Sequence, residues 1–212
     1  MLNHVANQTK IIDIFASYIY GNNAECTIDL KEKTVNVDLK LYCYDSDRNT
    51  ETVVFEMLLT GKNLFLTFLK HRGAVTESVS FDLEWAFSYS VVKELVNNYI
   101  SSILDFYKYE LYLEKSVVRT IKPTAVYKKL SKYAFVSQEA TLHFSSTPNT
   151  RHIAVKVPKC DIDITIDVNP IEGVNFYWID ALKTEEGKDD VHYLVDKTPD
   201  LSKAMKTTVG KL

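Results

Sequence analysis

From Val75 to Val91 apolar and polar residues alternate along the chain. Val75, Val79, Phe81, Leu83, Trp85, Phe87, Tyr89 and Val91 fall on one parity. Thr76, Ser78, Ser80, Asp82, Glu84, Ser88 and Ser90 fall on the other. Successive side chains of a strand point to opposite faces, so this pattern predicts a long strand in an antiparallel sheet with one face buried. The same alternation runs from Val35 to Cys43 and from Ile162 to Val168. The chain is therefore expected to be written mainly as half-buried sheet.

Around that strand the period switches twice. Residues from about Asn7 to Tyr20 carry Ile11, Ile12, Phe15 and Ile19 at helical spacing, with Gly21-Asn22-Asn23 as a stop. Strands are then expected around Cys26–Leu30, Val35–Cys43, Glu51–Thr60 and Lys62–Lys70, joined by short turns. With the strand from Val75 they make an antiparallel meander of about five. Beyond Ser90, which could cap it, a long amphipathic helix is expected to carry Val92, Leu95, Val96, Tyr99, Ile100, Ile103, Phe106, Tyr107 and Leu111. A second, more basic helix is expected after Pro123-Thr124. From Ala140 the strand period returns through Leu142 and Phe144, Ile153 to Val157, Ile162 to Val168, Val174 to Trp178 and His192 to Val195.

The predicted class is α+β: a five-stranded meander covered by a long amphipathic helix, then a second antiparallel β-rich region. The natural division is an N-terminal lobe over residues 1–118 and a second region over 119–212 with a short C-terminal tail; one continuous domain is equally open.

Composition narrows the function. The net charge is −3, and four of the 25 basic residues are arginine: Arg48, Arg72, Arg119 and Arg151. Arginine is the usual reader of guanine edges and the bidentate clamp on phosphate, so nucleic acid is not an expected partner. Abundant Lys, Asn, Ile, Tyr and Phe suit an AT-rich genome, that of a low-GC bacterium or a phage. No stretch approaches about 18 uninterrupted apolar residues, so no membrane span is expected, nor is a signal peptide. Cys26, Cys43 and Cys160 form no metal-type spacing, and an odd count fits free thiols in a reducing, cytoplasmic setting (host cytoplasm or virion for a phage protein).

Two acidic constellations remain. Asp29 lies on one expected strand and Asp38-Leu39-Lys40 on its hairpin partner. A helix, several strands and a helix with an acid on one strand and acid-x-Lys on the next resembles the core of the PD-(D/E)XK nucleases. That resemblance implies Mg²⁺ on Asp29 and Asp38, with Lys40 steadying water or phosphate. The lead Pro-Asp of the family is absent. The same residues also fit the wet face of an amphipathic strand. Asp161, Asp163 and Asp167 form the second set: carboxylates two apart on a strand stand about 7 Å apart and could share a cation. Lys156 and Arg151 on the neighbouring strand would balance them without one.

His143 and His152 could meet across a hairpin, but the paired His-x-Thr/Ser signature of two-histidine phosphoesterases is missing, His143 being followed by Phe-Ser and His152 by Ile-Ala. No phosphate loop, nucleophile elbow or metal motif exists, and no cofactor is expected. Thirteen tyrosines stand out. Tyr99, Phe106, Tyr109 and Tyr112, late in the long helix, are the expected interface, since tyrosine suits protein contacts. The expected function is a non-enzymatic binding or assembly protein acting on a protein partner or on copies of itself, with a phage or viral structural or host-interaction protein as one setting. A Mg²⁺-dependent nuclease is the alternative.

Overall fold

The fold is taken from a computed structural model, which describes residues 5–19, 24–31, 33–70, 74–83, 88–112, 140–146, 150–157, 160–171, 174–185, 188 and 191–198. It is an α+β structure built on one antiparallel sheet. Helix α1 spans Val5–Ile19 and α2 spans Tyr89–Phe106. Strands β1 (Ala24–Leu30), β2 (Thr34–Tyr44), β3 (Thr50–Thr60), β4 (Asn63–Lys70) and β5 (Ala74–Asp82) pair in sequence order. β7 (Ala140–Ser146), β8 (Thr150–Val157), β9 (Cys160–Ile171), β10 (Val174–Glu185) and β11 (Val191–Thr198) form a second run. That run joins the free edge of β1 through β7, giving the order β11-β10-β9-β8-β7-β1-β2-β3-β4-β5. The two-residue β6 (Glu110–Leu111) pairs with the end of β2, beyond the point where β1 begins.

Period-two patterning decides the faces. Cys26, Ile28, Val35, Val37, Leu39, Leu41, Val53, Phe55, Leu64, Leu66, Phe68, Leu142 and Phe144 are buried on one side. They share a single core with Ile11, Ile12, Phe15 and Ile19 of α1 and Val92, Val96, Ile100 and Ile103 of α2. The Tyr18 hydroxyl donates to Asn97 Oδ1 at 3.2 Å and ties the two helices together. The β3–β4 hairpin closes in two residues, where Gly61 takes φ +58°, a left-handed value that glycine adopts without a Cβ penalty.

Four expectations need correcting. The alternation from Val75 does not make one strand to Val91: β5 ends at Asp82, and α2 begins at Tyr89. Ser88, not Ser90, caps it, its hydroxyl accepting from Val91 N at 3.3 Å. Val75 is also not on the buried face. A register shift between Phe68 and Leu69 sets Glu77 opposite Phe68 but Val75 opposite Leu69, on the other side of the sheet, and Val75 is 66% exposed. Finally, α2 stops at Phe106. Lys108 turns left-handed (φ 55°), its N–H reaching Asp105 O at 3.2 Å and Tyr109 N reaching Leu104 O at 2.8 Å. This is a Schellman-type ending without a glycine.

The basic helix expected after Pro123 and the C-terminal tail lie outside the described residues. Among the described residues, no helix is long and apolar enough to cross a membrane.

Candidate functional site on the open face of the sheet

The face of the sheet opposite the core carries its polar chemistry. One line of directly opposed residues crosses it: Asp163, Ala154, His143, Thr27, Asp38, Glu56 and Thr67, on β9, β8, β7, β1, β2, β3 and β4. Directly opposite residues share a face, so sheet register alone assembles this row.

A groove of about 660 Å³ opens over its middle, lined by Thr27, Asp29, Asn36, Asp38, Glu56, Leu58, Phe65, Thr67 and Thr141. Asp29 is held from both sides: the Thr141 hydroxyl donates to its Oδ1 at 2.6 Å, and Lys31 Nζ lies 3.4 Å from Oδ2. Asp38 stands directly opposite Glu56. Burial, and then the charge of Asp29, push its carboxyl above the ordinary range. One wall is apolar, because Leu58 and Phe65 face each other across β3 and β4 and remain 36% and 40% exposed.

Lys40 does not line the groove. Its Nζ is 3.2 Å from Glu25 Oε2, and the Tyr42 hydroxyl donates to Glu25 Oε1 at 2.7 Å. Burial opposes ionisation of Glu25, but hydrogen bonds from Tyr42 and Lys40 overcome it and bring the carboxyl below its usual value. The hydrogen bond to Glu25 in turn raises the Lys40 ammonium. Of the nuclease-like set, Asp29 and Asp38 therefore share a groove while Lys40 serves a neighbouring carboxylate.

Beyond Thr27 lies a histidine pair. The rings of His143 and His152 are 6.1 Å apart. Thr27 Oγ1 is hydrogen-bonded to His143 Nδ1 at 2.9 Å, and Thr165 Oγ1 to His152 Nδ1 at 3.1 Å. His152 Nε2 lies 3.3 Å from Asp163 Oδ1. Burial, and then the neighbouring His152, lower the pKa of His143.

In the second acidic set, Asp161 is registered opposite Lys156, Asp163 opposite Ala154 and Asp167 opposite Thr150. Arg151 is registered opposite Ile166, out of step with the aspartates. The side chains of Asp161 and Asp167 lie outside the described residues. Among the described residues, no group of three or more His, Cys, Asp or Glu is arranged to hold a metal ion.

The aromatic residues chosen as an interface divide. Phe106 is 73% exposed, whereas Tyr109 is 7% exposed, its hydroxyl donating to Glu51 Oε2 at 2.7 Å. Tyr109 is thus a core residue rather than a free surface one. The Tyr99 hydroxyl donates to Glu77 O at 3.2 Å, and the Tyr112 ring lies 5.0 Å from that of Tyr44.

Glu56, Leu58, Phe65 and Thr67 were missed in the sequence. Each occupies an ordinary outward position of an alternating strand, and only the register of β2, β3 and β4 brings them beside Asp38. No family model, curated protein or solved structure matches the chain.

Proposed function

We propose that this chain is a non-enzymatic protein-binding protein, in which α2 forms the layer over the β1–β5 meander and leaves the open face of the sheet for recognition. The observation that carries the reading is the groove's make-up. Asp38 and Glu56 are like charges placed directly opposite each other, an arrangement that is unfavourable until a cation joins them. Leu58 and Phe65 stand beside them as exposed apolar side chains. Val75, registered opposite Leu69, is a further exposed apolar side chain on the same face. The complementary partner is a protein segment that is both cationic and apolar: a lysine or arginine whose stem lies on Leu58 and Phe65 and whose head sits between the carboxylates.

Metal-dependent phosphodiester cleavage fits less well. Lys40, the lysine of the acid-x-Lys run, is paired with Glu25 outside the groove rather than placed to steady a scissile phosphate.

The test is fluorescence anisotropy of a labelled amphipathic lysine–leucine peptide against the protein, with its glutamate–leucine counterpart as control. Saturable binding of the cationic peptide alone, lost in an Asp38→Asn, Glu56→Gln variant, supports the reading. Equal binding of both peptides, or none, overturns it. Light scattering with and without Mg²⁺, followed by a nuclease assay with Asp38→Ala as control, tests the enzymatic alternative.

A further inference from the structure

Thr27 belongs to two arrangements at once: it lines the acidic groove and is hydrogen-bonded to His143. In register it stands between His143 on β7 and Asp38 on β2. The two outer positions are therefore two strand spacings apart, roughly 10 Å. That is about one screening length at physiological salt. Charge placed on the histidine pair is therefore felt at the groove in attenuated form, most strongly at low ionic strength.

The groups facing the pair come from four neighbouring strands. Glu25 on β1 is already engaged by Lys40 and Tyr42 from β2. Asp163 on β9 lies beside His152 Nε2, and Asp180 on β10 holds the register position beyond Thr165. Thr27 and Thr165 take the Nδ1 atoms without adding charge. The helices pack on the opposite face. With Glu25 and Lys40 cancelling each other and Asp163 left as a carboxylate beside His152, protonation of His143 and His152 moves this end of the face from negative toward positive.

We infer that the His143–His152 pair gates the groove, so that proton uptake by the pair weakens the hold of the open face on a cationic partner. This rests on the cationic-partner reading and adds its regulation: the partner is held at neutral pH and released on mild acidification. Each imidazolium repels the incoming cation and offsets part of the attraction of Asp38 and Glu56, while the protein stays folded.

The test uses the full chain and the same lysine–leucine peptide, at pH values above and below the imidazole's ordinary 6.5. Circular dichroism establishes that each variant keeps the wild-type fold at both. The wild type is expected to bind about twofold more weakly on the acid side at low salt, from like charge at roughly 10 Å. The His143→Gln, His152→Gln variant is expected to bind equally at both. His143→Lys, which fixes the charge, is expected to bind weakly at both. An acid-side loss of the same size in the double glutamine variant overturns the inference and assigns the effect to the carboxylates. Absence of peptide binding at both pH values overturns the binding reading and the gate with it.

Discussion

Asp38 and Glu56 stand directly opposite each other across the β2–β3 pair, two carboxylates on one row of the open face. The Asp38 carboxyl is raised by burial and by the nearby charge of Asp29. A raised acid is stabilising while protonated, and that contribution is lost as pH rises through its folded-state pKa. At neutral pH the ionised Asp38 therefore works against folding. Asp38→Asn is expected to raise stability in urea by up to about 0.5 kcal/mol, since the carboxyl is only partly withdrawn from solvent. An Asp38→Asn protein less stable than wild type would show that the carboxylate has a stabilising partner.

His143 gives a dependence of the opposite sense. Its pKa lies below the ordinary imidazole value near 6.5 because burial and His152 disfavour the charged ring. Between those two values the unfolded chain takes up a proton that the folded chain refuses, so stability falls as pH drops through that window and levels off below it. Thermal melts across the window should show this slope in the wild type and a shallower one in His143→Gln. Parallel slopes would mean that other groups set the acid sensitivity.

Cys26 and Cys43 occupy inward positions of β1 and β2, each with no exposed surface. Burial raises both thiols, with help from Asp38 at Cys26 and Glu51 at Cys43, and Cys43 is pushed up to about 12. The thiolate is the reactive form, so neither should alkylate in the native protein at neutral pH. Iodoacetamide labelling followed by peptide mass mapping should leave both unmodified until denaturant is added. Rapid native labelling of either would place its strand edge in solvent.

These outcomes separate what was legible in the sequence from what was not. Inward residues such as Val37, Leu39 and Leu41 announce themselves because burial on a strand needs only a period of two. Register does not, since the pairing of Asp38 with Glu56 depends on how the Asp45–Asn49 loop closes. There Asp45 Oδ1 accepts from the N–H groups of Asp47 and Asn49, and Arg48 turns left-handed. The shift that turns Val75 outward is invisible for the same reason: it is a relation between two strands. The end of α2 was hidden because Lys108 takes a conformation usually signalled by glycine. The groove could not be read for want of register, whereas the histidine pair could, because a single short hairpin joins β7 to β8.

Helix α2 offers the sharpest contrast between burial and exposure. Ile103 is 4% exposed within the shared core, and Phe106, three residues on, is 73% exposed. Residues three apart on a helix lie on the same broad side, so any difference between them comes from the sheet and α1 rather than from helix propensity. Ile103→Asp puts an unpaired carboxylate into that core and removes apolar contacts, a loss of about 3–5 kcal/mol on the scale of buried-site substitutions. That is a large share of a typical domain's stability, and the variant is expected to be recovered unfolded or insoluble. Phe106→Asp changes a side chain that already meets water and should shift the urea midpoint by no more than about 0.5 kcal/mol equivalent. Equal tolerance of both would place α2 in solvent and remove the layer on which the open-face reading depends. Loss of folding in both would mean that Phe106 is covered in the folded protein, and an interface at the end of α2 would have to be sought there.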